Sequence, residues 1–288
     1  MYPASFEYHR PQTLAEAQQL LATTKDAKLL AGGHSLLPAM KMRVAGAATL
    51  LDIGRLAELR GIRRGEQGLV IGATTTHAEV AASEDVQQAC PILAEAAAQI
   101  GDLQVRNRGT LGGSLAHADP AADLPAVMLL LGARMSVAGA HGTRDVAAAE
   151  FFVDLFTTAL GPDEILTAVT VPGYKKGTGA AYLKHRHPAS SYAVVGVAAL
   201  VELRDGRCAR AGLVIGGATP VPVRATAAEQ ALAGQAPGAA AFAGAADKVQ
   251  QALVDPLSDP YASAEFRAHL ATVLARRALV AAAQRAQG

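Results

Sequence analysis

The sequence predicts an α+β protein of two domains, and three observations carry that reading. Up to about residue 172, short apolar strands alternate with helices whose starts carry the Ser/Thr-x-x-Glu spacing of a capping box. The segment PGYKKGTG, residues 172–179, has the Pro/Gly/Lys composition of a domain boundary. Beyond it a run of strands gives way to alanine-rich helical sequence, the order expected of a separate α+β domain. With 288 residues and 51% hydrophobic side chains, the chain can fill two cores.

The elements follow in order. PQTLAEAQQLLATT opens with Pro11 and the Thr13-Leu-Ala-Glu16 spacing, so a helix follows. AKLLAG is a short buried strand running into a glycine pair, and TLLDIGRL is a second strand closing a small α/β lobe. GLVIGATTTHAEVAAS gives a strand and then a helix, with Thr76-His-Ala-Glu79 as its capping box, and PILAEAAAQIG continues as helix. The 24 residues DLQVRNRGTLGGSLAHADPAADLP, from Asp102 on, show little periodicity and read as a long loop. Leu103, Val105, Leu111 and Leu115 punctuate that loop as inward-packing positions, which argues against disorder. AVMLLLGARMSVAG and DEILTAVTVP supply a helix and strands that complete a second lobe. After the boundary, AAYLKHR to VPVR reads as three antiparallel strands with Asp205-Gly206 as a hairpin turn, and helices run from Ala225 onward.

Composition removes several function classes. Lys+Arg 26 against Asp+Glu 25 leaves a formal charge of +1, without the basic surplus that a nucleic-acid backbone would reward. The longest unbroken apolar stretch, AVVGVAALV, falls far short of the roughly 20 residues of a membrane span. The start, MYPASFEYHRP, lacks the n- and h-regions of a secretory signal, so a cytoplasmic protein is expected. Cys90 and Cys208 are then expected as buried thiols, too few for an iron–sulfur cluster of four cysteine ligands. If the chain handles electrons, another cofactor carries them.

Two glycine pairs carry the functional reading. Gly32-Gly33 follows a strand and precedes His34 and Ser35, and Gly112-Gly113 precedes Ser114. A single pair reads equally as a turn or as a ligand cradle. Two of matching design suggest loops that grip one anionic group from opposite sides with N–H donors and hydroxyls. Neither fits the Rossmann or P-loop spacing.

AGGHS (31–35) and TLGGS (110–114) resemble the two pyrophosphate-binding loops of the FAD-binding medium subunits of molybdenum hydroxylases, the carbon monoxide dehydrogenase and xanthine dehydrogenase family. SFEYHRPQTLAEA, ADPAADLPA, DEILTAVTVP and YLKHR with a nearby tyrosine extend the resemblance over nearly the whole chain. It implies a two-lobed FAD domain of the vanillyl-alcohol-oxidase (PCMH) type over 1–175, with lobes at about 1–57 and 58–175. The family's small α+β C-terminal domain, an antiparallel sheet plus helices, would occupy 176–288. For FAD contact it implies Lys28, Leu29, Leu30, Ala31, Gly32, Gly33, His34 and Ser35, then Thr110, Leu111, Gly112, Gly113 and Ser114. Ile100, Asp123, Leu166, Lys184 and Tyr192 complete the implied cofactor set. Ser114 departs from the family's usual asparagine, which removes an amide from the second loop.

The resemblance further implies partners: a large molybdenum-cofactor subunit and a small subunit with two 2Fe–2S clusters, in a dimer of heterotrimers. The flavin subunit would pass their electrons to an external acceptor (NAD, oxygen or a quinone) and hold no catalytic residue for the hydroxylation. Plainer roles stand beside these. Asp123 could cap the helix near Leu124, Lys184 could be a solvated edge residue, and Tyr192 could fill the core. Arg106 and Arg108 could neutralise phosphate or order the loop, and His117-Ala-Asp119 lacks a third metal ligand. The alternative function is a free-standing flavin oxidase with FAD bound covalently at His34, since Gly-Gly-His also resembles the berberine-bridge-type oxidases. An assembly module that has lost its cofactor is a third reading, against which both glycine loops speak.

Overall fold

Helix α1 (Leu14–Thr23) starts where its cap puts it, with Thr13 Oγ1 accepting the Glu16 N–H at 3.1 Å. In the computed structural model, which describes residues 2–287, strands β1 (Glu7–His9), β2 (Ala27–Leu30) and β3 (Thr49–Asp52) form a parallel sheet in the order β1-β3-β2. Successive residues of the central strand face opposite ways. Leu51 therefore packs with Ala17 and Leu21 of α1, while Leu50 packs with Met40 of α2 (Leu36–Lys41).

The second lobe is built on an antiparallel sheet of β4 (Ile62–Gly65), β5 (Gly68–Gly72), β6 (Arg134–Gly139), β7 (Gly142–Ala147) and, after the small hairpin β8 (Phe152–Asp154) and β9 (Thr157–Thr158), β10 (Ile165–Val171). Its order is β4-β5-β10-β6-β7. Val80 of α3 (His77–Ala82), Val86 of α4 (Glu84–Ala89) and Ile92 and Leu93 of α5 (Pro91–Ala98) share a core with Leu69, Ile71, Met135 and Val169 of that sheet. The box predicted at the start of α3 is complete, with Thr76 and Glu79 each holding the other's backbone N–H.

The segment from Asp102 to Pro125 differs from its sequence reading. It holds α6 (Leu103–Arg106), α7 (Leu111–His117) and the start of α8 (Asp123–Leu131). Asp102 and Thr110 cap the first two by accepting N–H groups at 2.8 and 3.1 Å. One or two turns are too short to display a 3.6-residue period, and two glycines depress the helix propensity of α7, so the pattern looked like loop. TLGGS is thus a cap and first helical turn. Leu111 and Leu115 are buried as expected, but Leu103 is 69% exposed. A single-turn α9 (Ala148–Phe151) joins β7 to β8.

The C-terminal sheet runs β11 (Thr178–Arg186), β12 (Ala193–Arg204), β13 (Arg207–Gly216), β14 (Val223–Arg224) in antiparallel order. Asp205 and Gly206, both at positive φ, make its β12–β13 turn. One face, with Ala180, Tyr182, Ala198 and Leu200, joins the core of the second lobe. The other, with Val195, Val197, Ala199 and Val201, packs with buried residues of α10 (Thr226–Leu232), α11 (Ala239–Ala246) and α12 (Ala264–Gln287). Both faces of β12 are covered, which is why AVVGVAALV shows no polar alternation. No helix among the described residues is long and apolar enough to cross a membrane. Cys90 and Cys208 are buried and unpaired, and burial pushes the Cys90 thiol up to about 12.

Candidate functional site

The parallel sheet ends in an opening. Beyond the carboxyl end of β2 the chain turns through Ala31–Ser35, and that turn, the start of α7, β10 and the Ser190–Tyr192 turn of the C-terminal sheet enclose a cleft of about 500 Å³. Small-molecule and cofactor sites commonly measure roughly 300–1,000 Å³, and sheets that carry them do so beyond their strands' carboxyl ends.

Glycine is required here first by the protein itself. A Cβ on Gly32 would collide with the Arg108 carbonyl, so the turn after β2 lies directly against the segment leading into α7. A Cβ on Gly112 would stand 2.5 Å from Ala73 Cβ, and Gly33 adopts φ +75°. The picture of two matching donor loops is corrected by the hydrogen bonds. The N–H groups of Leu111, Gly112, Gly113 and Ser114 donate to Thr75 O, Ala73 O, Thr110 Oγ1 and Thr110 O. Those of Gly33, His34 and Ser35 donate to no described residue, and Ser35 makes no side-chain cap at the start of α2. The first turn therefore offers unspent donors, whereas the second presents the exposed Gly113 face and Ser114. Unspent main-chain donors lining a cleft fit an anionic group such as a pyrophosphate.

Of the residues singled out in the sequence, Lys28 to Ser35, Ile100, Thr110, Gly112 to Ser114, Asp123, Leu166 and Tyr192 line this one cleft. Leu111 and Lys184 do not: Leu111 is buried in the core, and Lys184 is buried in an ion pair. Asp123 is the first residue of α8, with Ala122 at the N-cap, so it is no cap. Its Oδ1 accepts the Tyr182 hydroxyl at 2.6 Å and its Oδ2 the Lys184 ammonium at 2.9 Å. Burial pushes the Asp123 carboxyl up and the Lys184 ammonium down, and each charge offsets that cost for the other. Tyr192 is 40% exposed at the rim rather than in the core. Arg106 orders its own loop, donating to Ile100 O and Gly101 O at 2.9 and 3.1 Å. His34 is exposed, with Nδ1 3.1 Å from Gly32 O, and the His117 ring lies 5.2 Å from that of Phe156.

Two further cleft residues escaped the sequence reading. Glu164 is held to Arg144 at 2.7 Å through both oxygens and accepts the Gly161 N–H at 2.7 Å. The Arg144 guanidinium, with the Gly161 N–H, outweighs burial and holds that carboxyl at about 2. His77, the residue after the Thr76 cap, is 4% exposed, and its Nδ1 has no partner. A histidine inside a capping box gives no sign of facing a cleft until β5 and α3 are placed.

His77 also makes a pH prediction. Burial, then the charge of Arg106, lowers its imidazole from 6.5 to about 4. Between those values the unfolded chain takes up a proton that the folded chain refuses, so stability present above pH 6.5 is lost as pH falls towards 4. The loss should reach roughly 3 kcal/mol. Urea unfolding followed from pH 7.5 to 4.5 should show this slope, and His77→Gln should flatten it; an equal slope in both chains would assign it elsewhere.

Comparison with known proteins agrees with this architecture. A family model described as "FAD binding domain in molybdopterin dehydrogenase" matches residues 4–174, and one described as "CO dehydrogenase flavoprotein C-terminal domain" matches residues 180–282. The carbon monoxide dehydrogenase medium chain of Hydrogenophaga pseudoflava is 39% identical over 98% of both chains. The alpha subunit of the 6-hydroxypseudooxynicotine dehydrogenase complex of Paenarthrobacter nicotinovorans is 38% identical over 100% of this chain and 97% of its own. In solved structures, a carbon monoxide dehydrogenase from Hydrogenophaga pseudoflava lacking the Mo-pyranopterin moiety of its molybdenum cofactor superimposes with a TM-score of 0.95 at 41% identity, over 99% of each chain. A chain matched end to end by relatives of this kind, and carrying their FAD-binding domain around an open cleft, belongs to the FAD-binding medium subunits of the molybdenum hydroxylases, oxidoreductases of the carbon monoxide dehydrogenase and xanthine dehydrogenase type.

Proposed function

We propose that this chain relays electrons: it holds one FAD non-covalently in the cleft, receives electrons from a partner's 2Fe–2S clusters and passes them to an external acceptor. The partners are a large molybdenum-cofactor subunit and a small iron–sulfur subunit, assembled as a dimer of heterotrimers. The observation that carries the reading is the unspent donor turn, Gly33 to Ser35, in a cleft shared by both lobes and the C-terminal sheet. When bound, FAD supplies redox chemistry in steps of one or two electrons, which a relay between clusters and a two-electron acceptor needs. The chain's own residues bind and orient. Backbone N–H groups of Gly33, His34 and Ser35 would hold the pyrophosphate, Leu29, Ile53 and Leu166 would give the cofactor's apolar parts a dry wall, and Tyr192 stands at the rim. The names of the two relatives support a division of labour. One is named for carbon monoxide and the other for 6-hydroxypseudooxynicotine, yet this chain resembles their subunits equally well, as expected if substrate choice lies in another subunit.

Acid precipitation of the purified chain should leave a yellow supernatant; flavin retained in the pellet would instead favour covalent attachment at His34. Co-expressed with its partner subunits, the chain should elute in a complex whose FAD is reduced by the hydroxylase substrate. A chain that stays alone and turns over a small molecule with flavin reduction would overturn the relay.

A further inference from the structure

Lys184 lies on β11 with its side chain 2% exposed, and its ammonium has three acceptors: Asp123 Oδ2 at 2.9 Å, Gln99 O at 2.9 Å and Ser191 O at 2.8 Å. An ammonium has three protons, so its donor set is complete. Asp123 is engaged as fully, with its other oxygen on the Tyr182 hydroxyl, and Gln99 returns its side-chain amide to Tyr182 O at 3.4 Å.

Each acceptor of Lys184 belongs to a different wall of the cleft. Gln99 precedes Ile100, Asp123 begins α8, and Ser191 precedes Tyr192; Ile100, Asp123 and Tyr192 line the cleft, while Lys184 does not. Ser191 is a non-glycine residue at φ +62°, a conformation that persists only when its surroundings over-determine it. They do: its carbonyl accepts from Lys184, its N–H donates to His187 O at 2.9 Å, and the His187 N–H returns to Tyr192 O at 2.8 Å. Tyr192 and Ser35 of the donor turn both line the cleft.

We propose that Lys184 is a positioning residue for the cofactor cleft: neutralised by Asp123, it ties the Gln99–Ile100 wall, the start of α8 and the turn bearing Tyr192 into one frame, and acts through them rather than by touching the cofactor. The proposal rests on the reading of the cleft as the FAD site, and it gives the buried pair a function distinct from binding. Two charges removed from water together are tolerated; one alone is not. Removing Lys184 by itself should therefore disturb the frame more than removing both charges.

The experiment compares wild type, Lys184→Met, Asp123→Asn/Lys184→Met and, as a control for general destabilisation, Leu274→Ala in the core beneath α12. Amide hydrogen exchange of the chain stripped of FAD is read first. Lys184→Met should speed exchange at Ser191 to Ala193 by about tenfold or more, while Leu274→Ala leaves that turn unchanged. FAD titration and the visible circular dichroism of the bound flavin are read second. Lys184→Met should weaken FAD by about tenfold with an altered visible spectrum, and the double variant should recover the part of that loss that comes from the stranded Asp123 carboxylate. Unchanged exchange in the stripped Lys184→Met chain overturns the proposal. So does a loss of affinity undiminished in the double variant, the signature of a direct ligand. If Lys184→Met does not fold, the double variant carries the same exchange reading. A wild-type chain that takes up no FAD refutes the site assignment instead, and the exchange result still decides the frame.

Discussion

Gly32→Ala should purify almost colourless, with FAD affinity reduced by about a hundredfold or more, near 3 kcal/mol. The added methyl has nowhere to go, because the Arg108 carbonyl and Gly109 Cα stand where it would be placed, and both belong to backbone rather than to a side chain that can swing aside. The two segments must separate, and the donor turn then moves relative to the start of α7. Gly33→Ala meets only the side chains of Leu37 and Leu30 but forces a left-handed backbone on alanine, a penalty of about 1–2 kcal/mol and thus a milder loss of roughly tenfold. Flavin-to-protein absorbance ratios and titration of the stripped chains measure both. A Gly32→Ala chain with full flavin content would show that contact between the two segments does not shape the site.

Asp123→Ala should be the most destabilising single change near the cleft. It strands the Lys184 ammonium in a site that leaves its side chain 2% exposed and takes the acceptor from the buried Tyr182 hydroxyl. Losing one partner of a buried ion pair typically costs about 3–5 kcal/mol, which in a chain of this size corresponds to a drop of roughly 10 °C in melting temperature. Thermal unfolding by circular dichroism measures it. A drop of only about 1–2 °C would mean that the pair is solvated in the folded protein, contrary to its burial.

Both predictions turn on contacts between residues distant in sequence, and this marks the boundary of what the sequence could reveal. Capped helices α1 and α3, strands β2, β3 and β12, the Asp205-Gly206 turn and the membership of the family were all legible, because caps, strand periods and glycine motifs are local patterns. The short helices α6 and α7 were not, since a turn or two leaves no period to count, and Leu103 gave no sign that it would end at the surface. What the glycine pairs make room for was not legible: Gly32 lies against the Arg108 carbonyl of the other lobe and Gly112 against Ala73 within its own, approaches that only the tertiary packing creates. Likewise Lys184 on a strand and Asp123 at a helix start look like ordinary surface residues. A buried charge is recognisable only once its partner is placed, and here the partner lies 61 residues away, brought in by the docking of the C-terminal sheet on the second lobe. By itself, then, the sequence determined the elements and the family, because those depend on neighbours along the chain; the tertiary structure alone decided which donors remain free, which charges are paired and which side chains face the cleft, because burial and hydrogen bonding depend on neighbours in space.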